Sequence, residues 1–377
     1  MTFNTKRIGL AALAGIMFAG GCGFHRKAYE NPVTKNTEQP DKVLFDKAIA
    51  DIEKARYEVA RLTLNTLINT YDSSEYLAKA KLAIADSWMR QGGPEGFAQA
   101  EAEYKDFQLF YPTMEEAPEA QAKICEIHTR QMEKADRDPN NALRAEVECR
   151  DLLTKYPNSK FAPQTEQRLR DIQEALAQSE MVAGVYYYNK GSLAAASNRL
   201  TGLVGQYPLY SRAAEALWLE GNAYTRMGTR FRQKAGDAYT RVVRDYPLST
   251  FAELAKKKLQ EMELAVPEAD PAAVARMKFE AANHVAPGKV RKLTDFVRRN
   301  PDVSSAAKSG TPTMDPPKRE IPATVPVTAD ATAPGFTGDV TAAPIVGNSA
   351  LDTQPDARAT PPAADSSAKP AAPASNK

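Results

Sequence analysis

The sequence predicts an all-α fold: a right-handed superhelix of five helical hairpins with a capping helix, followed by a disordered C-terminal tail. One spacing of alanine, large apolar residues and tyrosine recurs five times in the middle of the chain, and proline follows four of the copies. Half of the 26 prolines lie in the last 77 residues. These observations divide the chain into an export signal at 1–21, a tether at 22–40, the repeats at 41–265, a short helical extension at 266–299 and the tail at 300–377.

The first 21 residues have the pattern of a signal peptide. Lys6 and Arg7 precede thirteen apolar or small residues without a charge, which is shorter than the roughly 20 residues of a membrane-spanning helix. The stretch ends in Ala19-Gly20-Gly21-Cys22, which resembles the bacterial lipobox, although leucine is usual where Ala19 stands. The resemblance implies that Cys22 is lipidated and becomes the mature N-terminus. The alternative is an ordinary signal peptide in which the cysteine occurs by chance.

The residues after Cys22 bear on the destination of the chain and on its attachment. Gly23 rather than aspartate follows the cysteine, which by resemblance to lipoprotein sorting implies the periplasmic face of the outer membrane. Residues 23–40 are polar, contain two prolines and show no helical periodicity. We therefore expect a flexible tether between the lipid anchor and the repeats.

Residues 41–265 carry the repeat on which the fold prediction depends. Counted back from each of five anchors, position minus one is tyrosine, minus twelve is alanine, and minus eight and minus five are apolar or aromatic. Steps of four, three and four residues place these side chains on one stripe of a helix, where alanine lets a second helix approach closely. Proline then ends the helix because it has no N–H, whereas Asp72 can start a turn. The anchors are Asp72, Pro112, Pro157, Pro208 and Pro247.

A first helix with a small contact residue precedes each of four stripes, so that each pair of helices can form a hairpin. The pattern resembles the tetratricopeptide repeat, whose hairpins stack to bury their stripes and leave a concave groove. The anchors are 40, 45, 51 and 39 residues apart, so we expect longer helices or loops than usual, with one long helix at 164–189 and the cap at 251–264. The small residues are Ala48, Ala85, Gly184 and Gly221.

The third and fourth copies contain four short strings that resemble a known family. They are Arg137-Asp138-Pro139, Tyr156-Pro157-Asn158-Ser159, Val185-Tyr186-Tyr187 and Asn198-Arg199. Together with the lipobox and the five repeats, their order and spacing resemble the BamD family of outer-membrane protein assembly lipoproteins over about residues 40–265.

The resemblance implies a binding role in the machinery that inserts β-barrel proteins into the outer membrane. It implies that the N-terminal repeats receive unfolded barrel precursors and that the C-terminal repeats dock on a POTRA domain of the BamA-like barrel subunit. Arg199 matches the docking arginine of the family; the alternative is a solvated helix residue. The alternative hypothesis is another envelope lipoprotein with these repeats, either a secretin pilot protein or a Tol-associated cell-division coordinator. Proteins of these two classes lack the four strings.

The first helix of the second hairpin is a candidate for the substrate groove. Its turn at Arg90-Gln91-Gly92 places one helix face toward the predicted concave side, and that face mixes apolar and charged groups. Such a mixture suits an extended peptide held by many modest contacts; the alternative is that the face touches only water. The candidate residues are Lys79, Leu82, Asp86, Met89 and Arg90.

Cys125 and Cys149 fall on the two helices of the third hairpin, with Arg137 midway between them in a turn signal. Residues equally far from the turn of an antiparallel hairpin face each other, and the periplasm is oxidising. We predict a disulfide between them; the alternative is two buried free thiols.

Several function classes lack candidate residues. The formal net charge is +2, and Lys6 and Arg7 account for both excess charges, so we expect no nucleic-acid partner. His25, His128 and His284 share no ligand spacing, and phosphate-loop and nucleophile-elbow motifs are absent. We therefore predict no enzyme activity, no catalytic residue, no metal and no cofactor.

The extension and the tail complete the sequence. Two short helices are expected at 272–282 and 289–299; the second docks on the last repeat or, alternatively, on an acidic partner or a lipid surface. From residue 300 the chain contains one phenylalanine and no other aromatic residue, which is too little apolar surface to offset the entropy of ordering.

Overall fold

The computed structural model describes residues 38–284 and 299–316, and this part of the chain contains helices and no strand. The export signal, Cys22, most of the tether, most of the helix expected at 289–299 and the tail beyond 316 lie outside it. The helices are α1 (Pro40–Glu53), α2 (Tyr57–Thr70), α3 (Leu77–Gln91), α4 (Gly93–Phe110), α5 (Ala117–Arg130), α6 (Asn140–Lys155), α7 (Ala162–Asn189), α8 (Leu193–Gln206), α9 (Ala213–Arg226), α10 (Arg232–Asp245), α11 (Ala252–Glu261) and α12 (Pro271–Asn283), with a 3₁₀ turn at Thr229–Phe231.

The helices from α1 to α10 form five hairpins that follow one another along the chain. Each hairpin consists of two consecutive helices, and its second helix packs on the first helix of the next hairpin. Helix α11 packs on α10 as the capping helix. The predicted all-α class of stacked hairpins is confirmed, as is one long helix in the fourth hairpin, which spans Ala162–Asn189. None of the described helices combines the length and apolar character that a bilayer crossing requires.

The five connections from one repeat unit to the next share one pattern of backbone hydrogen bonds. After the fourth hairpin, Tyr207 N–H donates to the Leu203 carbonyl at 2.8 Å and closes the helix. The next bonds run from Tyr210 N–H to the Tyr207 carbonyl at 3.1 Å and from Ala213 N–H to the Tyr210 carbonyl at 3.0 Å. Equivalent bonds follow Tyr71, Tyr111, Tyr156 and Tyr246. Asp72, which stands in place of proline, therefore leaves the turn unchanged.

The predicted stripes form the core of the stack. Their alanines are fully buried, and so are the large residues that follow them on the same face. A Cβ atom on Gly221 would lie 2.5 Å from the Tyr239 ring, and one on Gly184 would lie 2.8 Å from the Leu200 side chain. Glycine at these two positions therefore sets the distance between the helices of the last two hairpins.

The chain beyond the capping helix folds back on the last repeats. The Asp270 side chain accepts a hydrogen bond from Ala272 N–H and caps α12, and the Arg276 guanidinium of α12 lies over the Tyr246 ring. Residues 299–316 also pack on the helices. Val303 and Met314 contact the apolar cluster that extends from α5 to α11, which we call the main core cluster. The predicted start of the disordered tail at residue 300 therefore needs correction, because these residues have core contacts that their composition does not reveal.

Candidate partner-binding site

Arg199 lies on α8 and is exposed, as a docking residue must be. Its side chain is 52% exposed, and Nη1 donates to the Glu180 carboxylate of α7 at 3.0 Å from Oε2. The Glu180 side chain is itself 37% exposed. An ion pair open to water is worth little, so this arginine can exchange its partner for another carboxylate at low cost.

The candidate groove residues of α3 do not all share one environment. Lys79 and Arg90 are exposed, and Leu82 and Asp86 are half-buried. Asp86 Oδ1 accepts a hydrogen bond of 2.6 Å from the hydroxyl of Tyr104 in α4, which fixes this carboxylate at the edge of the core. We call these four residues the α3 stripe: Lys79, Leu82, Asp86 and Arg90.

The prediction that Met89 lines the groove is wrong, because the structure places this residue in the core. Its side chain is 6% exposed and belongs to the cluster that joins α3, α4 and α5. The helix geometry explains the error. Steps of three, four and four residues connect Lys79 to Arg90, whereas Met89 lies about 100° around the helix from Arg90.

Large apolar side chains are also exposed at the end of α4, in the same hairpin. Leu109 and Phe110 are 74% and 63% exposed, and the Lys81 ammonium of α3 lies 5.6 Å from the Phe110 ring centroid. Neither residue was predicted from the sequence, because both fall between the stripe positions of their helix. Exposed apolar side chains beside charged ones are a feature of surfaces that bind other polypeptides.

The third hairpin holds a disulfide between Cys125 and Cys149, whose Cα atoms are 4.9 Å apart. Both cysteines are fully buried. The bond joins α5 to α6 in the third of the five hairpins.

Three residues with metal-ligand atoms meet beside this hairpin. The ligand atoms of Glu101, His128 and Glu148 lie within 4.8 Å of one another, although the residues come from α4, α5 and α6. Lys105 Nζ stands 2.7 Å from a Glu101 oxygen and 3.0 Å from a Glu148 oxygen, so one ammonium bridges the two carboxylates. The arrangement is a network of charged groups that links α4, α5 and α6.

The pKa shifts in this network follow from its geometry. Burial would raise the pKa of Glu101, but the hydrogen bond and charge of Lys105 and the neighbouring His128 hold it below its usual value. Burial would likewise lower the pKa of Lys105, but its bonds to Glu101 and Glu148 raise it. Both shifts favour the charged forms, which fastens α4 to α6.

The structure does not bring the candidate sites together. The α3 stripe belongs to the second hairpin, whereas Arg199 belongs to the fourth. The two candidate surfaces therefore belong to separate hairpins of one scaffold.

Comparison with known protein families gives a match over the described hairpins. Residues 37–238, more than half of the chain, match a family described as YfiO, outer membrane lipoprotein. The matched range covers the first four hairpins, α9 and part of α10, and it includes the α3 stripe and Arg199. No curated protein matches the chain.

Proposed function

The chain belongs to the YfiO family of outer membrane lipoproteins, and from this premise we propose that it acts as a BamD-type subunit of the β-barrel assembly machinery. Its role in this proposal is binding and not catalysis. The first two hairpins hold unfolded barrel precursors, and the fourth hairpin docks on the POTRA region of the barrel subunit. The lipidated Cys22 anchors the chain to the periplasmic face of the outer membrane.

The exposed Arg199–Glu180 pair is the observation that carries the proposal. Arg199 lies in the family match, in the Asn198-Arg199 string, and its guanidinium is open to a partner on the surface of α8. Guanidinium groups bind carboxylates through two parallel hydrogen bonds, and of the described residues only Glu180 bonds to Arg199, through Nη1. A carboxylate of a POTRA domain can therefore replace or extend this pair.

The α3 stripe and the exposed apolar side chains at the end of α4 support the precursor-binding part. An unfolded barrel strand offers alternating apolar and polar side chains, and the surface of the second hairpin has both kinds. Lys79 and Arg90 supply charge, and Leu109 and Phe110 supply exposed apolar area. Many weak contacts of this kind bind an extended chain without strict sequence preference.

The docking proposal is tested by capture from detergent-solubilised envelopes. Tagged wild-type protein is expected to recover a barrel subunit with POTRA domains, and the Arg199→Glu variant is expected to lose at least tenfold of it. Arg144→Glu, a matched charge reversal at an exposed position of α6, should capture like the wild type.

A charge swap separates docking from internal stability. The Glu180→Arg/Arg199→Glu double variant restores an internal ion pair of reversed polarity. If Arg199 binds the partner, capture stays lost in the double variant. Recovery of capture would assign the effect to the internal pair, and a secretin or Tol component in place of a barrel subunit would favour the alternative lipoprotein classes.

The precursor-binding part is tested by site-specific photo-crosslinking. A photoreactive residue at Lys79 or Arg90 should crosslink to a barrel precursor that is diluted from denaturant into the sample. The same residue at Gln260, an exposed position of α11, should not. Equal crosslinking at all three positions would contradict a localised groove.

The anchor is tested by fractionation. The Cys22→Ala variant should leave the membrane pellet for the soluble periplasmic fraction, because the two acyl chains that make anchoring stable are absent. Retention of the variant in a carbonate-washed membrane would contradict the proposal.

A further inference from the structure

Residues 303–315 lie along α7 and are held mainly through their main chain. Gln167 Nε2 donates to the Ala307 carbonyl at 3.1 Å, and Arg170 Nη1 donates to the Gly310 carbonyl at 2.8 Å. These α7 residues are three apart, and so are the carbonyls they bind.

Gln173 continues the series and binds in both directions. Its Nε2 donates to the Thr313 carbonyl at 2.7 Å, while its Oε1 accepts from Thr313 N–H at 3.1 Å. This paired bond is how one strand binds the next, with a side-chain amide in place of a backbone amide. Gln206 of α8 adds a bond of 3.1 Å to the Asp315 carbonyl.

A few small or apolar side chains of the segment enter the helix surface. Ala306 and Ala307 are buried, and Met314 packs on the main core cluster. Gly310 has a φ of +87°, and a Cβ atom on it would lie 2.9 Å from the Leu209 side chain. The surface thus selects small residues, a glycine and one apolar residue seven positions after Ala307.

A carboxylate of α12 binds the middle of the segment. Glu280 accepts from Lys308 N–H at 2.8 Å and from Ser309 N–H at 2.8 Å. Two of these bonds run to main-chain groups, and the Ser309 hydroxyl adds a side-chain bond of 2.6 Å to Glu280 Oε1.

The α7 side of this interface contains a buried polar side chain whose hydrogen bonds the segment completes. Gln173 is 5% exposed, and apart from Thr313 its described partner is Glu146. A buried amide that lost the segment would lack hydrogen-bond partners unless water or another chain supplied them. We call the surface formed by Gln167, Arg170, Gln173, Gln206 and Leu209 the tail groove.

We propose that the tail groove is a binding site for an extended polypeptide, occupied in cis by residues 303–315 and available to a segment of a second chain when these residues leave. Main-chain recognition leaves most positions of the partner unrestricted, and the close contacts of Ala306, Ala307, Gly310 and Met314 restrict the rest. The partner is therefore a segment with two adjacent small residues, a glycine three positions later and an apolar residue seven positions after the pair. Residues 303–315 lie outside the matched family range of 37–238. The tethered segment has a high effective concentration, so it keeps the site closed to weak ligands.

The test uses full-length chains and a fluorescent synthetic peptide of residues 303–316, with binding measured by fluorescence anisotropy. The Gly310→Val variant opens the site, because a side chain there is strained and meets Leu209. It should bind the peptide at least tenfold more tightly than the wild type. Thr311→Val, at an exposed neighbouring position, should bind like the wild type.

Two further comparisons assign the site and the mode of recognition. Adding Gln173→Leu to Gly310→Val should weaken peptide binding at least tenfold, whereas adding Gln164→Leu, at an exposed position of α7, should not. A peptide that is N-methylated at Thr313 lacks the N–H that Gln173 accepts and should bind at least tenfold more weakly.

Three outcomes would overturn the proposal. Equal binding by the wild type and Gly310→Val would mean that the segment does not occupy the site. No binding by Gly310→Val, nor by Gly310→Val with Ala307→Asp as a second opening change, would mean that no peptide exchanges there. Full binding by the N-methylated peptide would exclude main-chain recognition. The proposal is independent of Arg199 docking, and Gly310→Val should still capture the barrel subunit, so the two can fail separately.

Discussion

Cys125 and Cys149 occupy positions at which other hairpins place a small residue against a large one. Cys149 stands eight residues before its anchor, as do Leu200 and Tyr239, which contact the small residues Gly184 and Gly221. In the third hairpin a covalent bond thus replaces a close packing contact. The disulfide stabilises by constraining the unfolded chain, on top of the apolar burial that the other hairpins use.

We predict that replacing both cysteines by alanine lowers the free energy of unfolding by about 3 kcal/mol from the lost cross-link, plus the cost of the cavity. The Cys125→Ala/Cys149→Leu variant, which reproduces the Ala48 and Leu64 pair of the first hairpin, should recover part of this loss. Chemical denaturation of the oxidised protein checks both. Equal stability of the two double variants would contradict the equivalence of these positions.

Glu220 is a buried carboxyl group in the fifth hairpin. Oε1 accepts a 2.6 Å bond from the Thr201 hydroxyl, whereas Oε2 is buried without a hydrogen-bond partner among the described residues. Burial raises the pKa of Glu220 to about 7, although Thr201, Arg241 and Lys234 act to lower it. The proton is therefore bound more tightly in the folded chain than in the unfolded one.

The sign of the resulting pH dependence is fixed by this raised pKa. Below the unfolded pKa of about 4.3 both states are protonated and the carboxyl group has no effect, and stability is then lost as the pH rises to about 7. Glu220→Gln should remove this loss and raise the melting temperature at pH 8 but not at pH 4. Thermal unfolding from pH 4 to 8, with exposed Glu253→Gln as the control, measures the difference. A parallel pH profile for Glu220→Gln and wild type would contradict the prediction.

The hairpin is the element that the sequence describes best. The stripe, the tyrosine and the anchor predicted the ends of the second helices, because proline and a tight turn are local properties. The sequence pattern also located the long α7 and the small contact residues. The prediction of the groove face was less accurate. An error of one residue in the direction of a helix face was enough to assign Met89, a core residue, to the surface.

Features that depend on several distant segments could not be predicted. The network of Glu101, His128 and Glu148 joins three helices, and no spacing in the sequence marks it. The packing of residues 299–316 depends on side chains of α7, α8 and α12 that bind its main chain, and a proline-rich composition does not reveal such bonds. Exposed Leu109 and Phe110 carry no periodic signal that distinguishes them from core residues.

The close approach of helices within a hairpin gives a prediction at this scale. Gly221→Ala should lower the free energy of unfolding by about 1–3 kcal/mol, because its Cβ would lie 2.5 Å from the Tyr239 ring and overpack the core. Gly202 is an exposed position of α8, and a Cβ atom there would meet no atom within 4 Å. Gly202→Ala should therefore raise the free energy of unfolding by up to about 1 kcal/mol through helix propensity. Urea denaturation compares the two. A stabilised Gly221→Ala protein would show that the helices can separate at no cost.

For the molecule as a whole, the described helices contact mainly their neighbours along the chain. One core cluster joins α1, α2 and α3, a second joins α3, α4 and α5, and a larger one extends from α5 to α11 and on to α12. In such a stack stability is close to a sum over repeats and their interfaces, so the response to a mutation depends on its place in the series.

This arrangement predicts different responses to one substitution in two repeats. Leu64 and Leu200 are both fully buried and both stand eight residues before an anchor. Leu64→Ala should lower the free energy of unfolding by about 2–5 kcal/mol. It should accelerate amide exchange mainly within α1 and α2, because this hairpin stands at the end of the stack and packs on one neighbouring hairpin. Leu200→Ala should cost a similar amount but accelerate exchange from α5 to α11, because Leu200 belongs to the cluster that joins them. Hydrogen exchange by mass spectrometry resolves the two patterns. Uniform acceleration through every hairpin in the Leu64→Ala protein would mean that the stack unfolds as one cooperative unit and that repeat position does not decide local stability.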